Sequence, residues 1–301
     1  MPTLPAAYRG RFAPSPTGPL HFGSLISAVG SFLQARSQQG QWLLRLEDVD
    51  TTRNVPQAAD EILRTLDAYG LHWDGAVLYQ TSRQAAYQAA LSHLRQAGHL
   101  FDCGCSRRDL QTAAPDPNRP ELYPGTCRHG LPPGKTARSL RLRVTATQIG
   151  FHDAIQGYFS QHVAQDVGDF VLQRADGPTA YQLAVVVDDA AQGITEIVRG
   201  SDLLDSTPRQ LYLQRCLGLP TPSYAHLPVA LNAQGQKLSK QTLAPALDKT
   251  KPVPALCAAL AFLGQQPPSE LLDSDLDSLW QWALKHWCLA AVPQRMGIEL
   301  G

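Results

Sequence analysis

A chain of 301 residues with 44% hydrophobic content can bury a sizeable core, either as one large domain carrying an insertion or as two domains. Its 26 basic and 26 acidic residues give a formal net charge of +0, which excludes a global field drawing in nucleic acid and leaves such binding to local basic patches. The opening MPTLPAAYRG lacks a charged start followed by an apolar run, and no stretch is long and apolar enough to cross a bilayer, so a cytoplasmic protein is expected.

Residues 8–13 read as a short strand, which the imino acids and glycine of PSPTGP (residues 14–19) break into a loop. From Phe22 onward, Leu25, Ile26, Val29, Phe32 and Leu33 fall on one helical face, and Gly40 closes that helix. Residues 41–46 predict a second strand, residues 58–69 a helix ending at Gly70, and residues 82–97 a helix ending at Gly98. Alternating strand and helix is the pattern of an α/β sheet, in which ligands collect beyond the carboxyl ends of the strands. From Phe101 the texture changes. Cys103-Gly104-Cys105 leads into a Pro- and Arg-rich run through Lys135, too long and irregular for a simple connection and read as an insertion. Segments 170–174 and 180–187 flank Asp176-Gly177 and predict a hairpin. Strand character resumes over 194–198 and helix over 208–217, closing the interrupted α/β domain. A loop with Lys237-Leu238-Ser239-Lys240 and helices over 253–263 and 276–287 complete the chain.

The turn before the first helix exposes unpaired backbone N–H groups at the positive end of a helix dipole, where phosphate binds readily. His21 and Ser24 flank Gly23, whose missing side chain permits close approach. Alone, this His-x-Gly reads as an ordinary strand-to-helix connection. Six unevenly spaced cysteines are too few for a disulfide scaffold. Cys103, Cys105 and Cys127 cluster in a core-poor segment, and thiolates there suit a structural Zn²⁺, with His129 the conventional candidate for a further ligand. Cys216, Cys257 and Cys288 read as inert thiols in apolar surroundings. Arg107, Arg108, Arg119, Arg128, Lys135, Arg138, Arg141 and Arg143 form a local basic patch, either a set of RNA phosphate contacts or a solvated surface. Tyr158, Phe159 and Trp73 could stack on a base, with buried packing the expectation for most of them.

RFAPSPTG (residues 11–18) with its His-x-Gly helix, RLEDVD (45–50), GITEIVRG (193–200) and the Lys-x-Ser-Lys loop (237–240) stand in the order seen in class I aminoacyl-tRNA synthetases. Over about residues 11–241 the chain resembles the glutamyl-tRNA synthetase group. Two signatures depart from that group: His-Ile-Gly-His stands here as His21-Phe22-Gly23-Ser24, and Lys-Met-Ser-Lys-Ser as Lys237-Leu238-Ser239-Lys240-Gln241. About sixty residues follow Lys240, too few for the group's helical anticodon-binding domains. A catalytic body without them resembles the glutamyl-queuosine tRNA(Asp) synthetase family, which activates glutamate with ATP and attaches it to the queuosine base in the anticodon of tRNA(Asp).

The resemblance implies an α/β fold: a split Rossmann-like nucleotide-binding domain with a zinc-bearing insertion and a small C-terminal helical region. Its first half would occupy residues 1–100, the insertion 101–180, the second half 181–220, and the loop and C-terminal helices 221–301, with no anticodon-binding domain. It implies an L-glutamate pocket of Arg11, Ser15, Glu47, Tyr181 and Arg199. Guanidinium forks suit the two carboxylates and Glu47 the ammonium. His21, Gly23, Ser24 and Lys240 would bind ATP, with His21, Lys240 and Lys237 as catalytic donors to the charge that gathers around phosphorus and Mg²⁺ offsetting the leaving pyrophosphate. Tyr123 would join Cys103, Cys105 and Cys127 as the fourth zinc ligand, an uncommon choice because its phenol must lose a proton. The expected partners are L-glutamate, ATP and queuosine-containing tRNA(Asp), with no membrane and the protein acting as a monomer.

Overall fold

The computed structural model describes residues 7–113, 122–145, 148–238 and 244–300. It begins with β1 (Arg9–Phe12), α1 (Phe22–Ser37), β2 (Gln41–Leu46), α2 (Ala58–Ala68), β3 (Leu78–Tyr79) and α3 (Gln84–Gln96). β1 pairs parallel with β2, from Arg9 opposite Gln41 to Phe12 opposite Leu44, and β2 pairs parallel with β3. The face of α1 expected from its periodicity is buried along its length. The helix stops short of Gly40, because Gln39 takes the left-handed turn at φ 53°. Gly40 serves a different need: a Cβ there would lie 2.5 Å from the Tyr8 carbonyl oxygen.

The middle of the chain holds β4 (Leu100–Cys103), α4 (Arg107–Thr112), β5 (Ser139–Leu142), β6 (Gln148–Asp153), β7 (Gly157–His162), α5 (Val163–Asp166) and β8 (Val171–Gln173). β4, β5 and β8 form an antiparallel sheet, and β6 and β7 form a hairpin that turns at Gly157. The hairpin expected across Asp176-Gly177 is half right. β8 precedes the turn and Gln173 bridges back to Thr179, but the following segment is α6 (Tyr181–Ala191), a helix. Leu183, Ala184, Val185 and Val186 are all buried, and a continuous apolar run does not separate a buried strand from a buried helix.

β9 (Glu196–Gly200), α7 (Thr207–Leu217), β10 (Ser223–Leu227), β11 (Val229–Leu231), α8 (Pro252–Phe262), α9 (Leu276–His286) and β12 (Gly297–Glu299) follow. β9 pairs parallel with β10, and β10 with β6. β1 runs beside β9: the Thr195 N–H donates to the Arg9 carbonyl at 2.9 Å, and the Arg9 N–H to Thr195 Oγ1 at 2.9 Å. Two sheets, β3-β2-β1 and β9-β10-β6 with β7 antiparallel at the far edge, therefore meet along β1 and β9, and the pairs within each are parallel except for β7. This is the expected α/β architecture, a parallel arrangement whose two halves come from distant parts of the chain. One apolar cluster joins α1, β2 and α2 to α8 and α9, and a second fills the space among β6, β9, β10, α6 and α7. No described helix is long and apolar enough to cross a membrane.

Candidate active site

A cleft of about 680 Å³ opens at the carboxyl ends of β1, β2 and β9, the side of a parallel sheet where ligands gather. Arg11, Ser15, His21, Gly23, Ser24, Glu47, Tyr181, Arg199 and Lys237 all line it, and Lys240 lies outside the described residues. Strand geometry explains the convergence. Arg11 and Arg199 are penultimate in β1 and β9, Glu47 follows the last residue of β2, and Tyr181 opens α6. The loop bearing Ser15 is tied to the segment after β2, since the Glu47 N–H donates to the Pro14 carbonyl at 3.0 Å and the Val55 N–H to the Pro16 carbonyl at 2.9 Å.

The amino end of α1 forms the opposite wall. Ser24 Oγ accepts from the His21 N–H and donates to the His21 carbonyl, both at 2.7 Å, so its hydroxyl caps the helix and fixes the turn. Gly23 admits a neighbour: a Cβ there would meet the Leu238 carbonyl oxygen at 3.3 Å. The segment carrying Lys237 and Leu238 folds back on β11 through the Leu238 N–H to Ala230 carbonyl bond at 2.8 Å. Beyond residues 239–243, Ala246 bridges His21 and the Leu247 N–H donates to the Leu20 carbonyl at 3.0 Å. The chain thus enters and leaves the lysine-bearing loop beside the mouth of α1. Lys237 Nζ pairs with Asp202 at 2.5 Å.

Buried charges lie behind the cleft lining. Arg11 Nε and Arg45 Nη1 both donate to Asp189 Oδ1, at 3.1 and 2.8 Å, and Arg45 Nη2 stands 3.5 Å from Glu47. Burial pushes the Glu47 carboxyl upward, against the pull of Arg45 and Arg11. Burial acts on Asp189 in the same sense, but Arg11 and Arg45 outweigh it and hold that carboxyl below the usual range. Tyr181 is raised, first by burial and then by Glu47, so its phenol keeps its proton and can donate. The cleft lining therefore offers the Arg11 and Arg199 guanidinium groups, the Glu47 carboxyl and the Tyr181 hydroxyl, a set matched to an amino acid with two carboxylates.

Away from the cleft, the Sγ atoms of Cys103, Cys105 and Cys127 lie within 4.8 Å of one another. Tyr123 Oη is 3.5 Å from Cys103 Sγ and accepts from the Cys127 N–H at 2.8 Å. His129 is exposed and is not part of this group. Burial raises the Cys103 thiol, but Tyr123, the Cys105 backbone and Arg141 bring it to about 7, whereas burial and the neighbouring sulfurs push Cys105 to about 12. Crowded thiols of this kind are relieved when a soft divalent ion takes their protons' place, so the donors fit Zn²⁺.

The family description "tRNA synthetases class I (E and Q), catalytic domain" matches residues 7–253. The glutamyl-Q tRNA(Asp) synthetase of Dechloromonas aromatica strain RCB is 59% identical over 295 residues, covering 97% of this chain and 98% of that one. That of Aromatoleum aromaticum is 56% identical, covering 97% and 92%. The chain belongs to the glutamyl-Q tRNA(Asp) synthetase family. The crystal structure of a glutamate tRNA ligase from Elizabethkingia meningosepticum, in complex with its amino acid, matches with a TM-score of 0.80 at 25% identity, covering 98% of this chain and 67% of that one.

In this member of the glutamyl-Q tRNA(Asp) synthetase family, half of the basic patch is engaged with the chain's own groups, although only Arg141 among its described residues is buried. Arg128 pairs with Asp169, Lys135 with Asp109 at 2.8 Å, Arg141 is buried 4.0 Å over the Tyr123 ring, and Arg143 donates to the Arg128 carbonyl at 2.8 Å. Arg107, Arg108 and Arg138 are exposed, and Arg119 lies outside the described residues. One smaller expectation is corrected: Cys288 is exposed because it follows the end of α9. Of the three aromatics Tyr158 is 64% exposed on the strand at the sheet's edge, whereas Phe159 and Trp73 are half-buried. Sequence reasoning missed the groups that hold the arginines. Asp189 ends an apolar helical run with Asp188, Arg45 passes as a strand residue, and His226 interrupts the buried run of β10. A charged or polar residue inside an apolar pattern is the signal that marks each of them.

Proposed function

We propose that this protein activates L-glutamate with ATP and transfers it to the queuosine base of tRNA(Asp), the activity named for its relatives. One observation carries the reading: Arg11, Arg199, Glu47 and Tyr181 share a single cleft with the amino end of α1 and with Lys237. Arg11 and Arg199 take the two carboxylates of glutamate, Glu47 takes the ammonium, and Tyr181 and the Ser15 loop complete the pocket. A carboxylate oxygen attacks the α-phosphorus, the new P–O bond forms, and the bond to pyrophosphate breaks. Charge gathering on phosphorus is met by His21, by the N–H groups around Gly23 and Ser24, and by Lys237 and Lys240. Mg²⁺ accompanying ATP offsets the charge of the leaving pyrophosphate. Acyl transfer to queuosine then releases AMP. Cys103, Cys105, Tyr123 and Cys127 hold a Zn²⁺ whose work is to cross-link a segment with little core of its own. The same reading places the protein in the cytoplasm as a monomer.

The deciding experiment follows labelled glutamate, with ATP, onto tRNA(Asp) carrying queuosine, the same tRNA lacking it, and tRNA(Glu). Label is expected only on the first. Label on tRNA(Glu) would point to charging of the terminal ribose, and absence of glutamate-dependent ATP–pyrophosphate exchange would overturn the activation step.

A further inference from the structure

Arg199 is 4% exposed and is gripped from behind. Nε donates to His226 Nε2 at 3.1 Å, Nη2 donates to Thr207 Oγ1 at 2.8 Å, and the guanidinium lies 5.5 Å from the Tyr224 ring centroid. Nη1 is buried and bonds to no described residue, which leaves it for a ligand. An arginine Nε–H only donates, so this arrangement holds only while His226 Nε2 carries a lone pair. The far side of the ring supplies that condition. His226 Nδ1 is 2.5 Å from Asp153 Oδ2, and a carboxylate only accepts, so the ring proton belongs on Nδ1. Asp153 is itself unable to swing, because its Oδ1 accepts the N–H groups of Ile155, Gln156 and His226 at 3.0, 2.9 and 3.0 Å. The three residues sit on adjacent strands, Asp153 at the end of β6, and His226 on β10 directly opposite Arg199 on β9.

We propose that Asp153 and His226 are positioning residues for glutamate binding: together they fix the imidazole tautomer that aims the Arg199 guanidinium into the cleft. This rests on the reading of Arg199 as a carboxylate ligand. In Asp153→Asn the three backbone N–H groups retain the amide oxygen, which turns the amide nitrogen toward His226 Nδ1. That nitrogen now donates, the ring proton moves to Nε2, and it meets the Nε–H of Arg199 head-on.

The test measures glutamate-dependent ATP–pyrophosphate exchange alongside ¹⁵N NMR of the imidazole. Wild-type His226 is expected to carry its proton on Nδ1, and Asp153→Asn to move it to Nε2. Asp153→Asn should raise the KM for glutamate by about tenfold or more while the KM for ATP stays within about twofold. His226→Gln, whose amide oxygen can accept from Arg199, should keep more glutamate affinity than His226→Leu, which is of similar bulk. A proton on Nε2 in the wild-type protein overturns the proposal without recourse to any variant. So does an unchanged glutamate KM in Asp153→Asn and His226→Leu when Arg199→Ala raises it. Should Arg199→Ala itself leave that KM unchanged, the pocket assignment fails, and the positioning role with it.

Discussion

Asp189 holds two guanidinium groups on one oxygen, and among the described residues neither arginine has another carboxylate as close. Removing its charge leaves Arg11 and Arg45 buried and underpaired, a loss of about 3–5 kcal/mol for a buried ion pair broken on one side. The pH dependence follows from the direction of its shift. A carboxyl held below its unfolded value of about 3.9 contributes stability that is fully present above that pH and lost as pH falls through the lower, folded value. Asp189→Asn should therefore unfold at much lower urea than the wild type at neutral pH, with the gap narrowing as both are titrated toward about pH 3. An equal gap at both ends would mean that the carboxylate's charge is not what it contributes. At this scale the sequence pointed to Arg11, Ser15, His21, Glu47, Arg199 and Lys237 as cleft residues because each sits within a contiguous motif, whereas Tyr181 lies in none of them and came only with the family resemblance. It did not show what steadies them: Asp189 is 178 positions from Arg11 and 144 from Arg45, and only sheet packing brings them together.

Among the elements, those with a clean period or a hard stop were legible. α1, β2, α2 and α9 match their expected spans to within a few residues, because amphipathic spacing and turn residues act locally. α6 was misread because its identity is settled by burial against α3 and α7, which a run of apolar residues does not encode. The β6–β7 hairpin went unread because its strands carry glutamine, histidine and glycine in place of a sustained alternation. The cysteine segment shows the opposite case, where little regular structure is compensated by chemistry. Its described core is small, formed by Phe101, Cys103, Tyr123 and Cys127 with Cys105 and Leu110 against them. Tyr123 touches Cys103 and the Cys127 backbone, whereas His129 stands apart, so Tyr123→Phe should weaken zinc binding at least as much as the 10–100-fold typical of losing an outer hydrogen-bond partner. His129→Ala should retain a full equivalent of metal. Zinc titration against a competing chelator separates the two, and the reverse ranking would remove Tyr123 from the metal site.

Across the whole molecule, the cleft depends on α1 being held at both ends, and the C-terminal helices supply the far hold. Trp280 on α9 packs edge-on to Phe32 of α1 with ring centroids 5.0 Å apart, and its Nε1 donates to the Tyr69 carbonyl at the end of α2 at 3.0 Å. The fit leaves no slack at Gly70, which has φ +67° and where an added Cβ would stand 2.8 Å from the indole nitrogen. Trp280→Ala opens a cavity between three helices and strips a buried carbonyl of its donor, which sets its cost at about 3–5 kcal/mol. For a chain of 301 residues that lowers Tm by roughly 5–8 °C. Phe32 lies ten positions beyond Phe22, about 15 Å along the helix axis from the end that faces the cleft. Exchange activity per folded molecule, measured well below the lowered Tm, should therefore match the wild type within about twofold. Lost activity at unchanged Tm would instead place the C-terminal helices in the chemistry of the cleft, and not in its foundation.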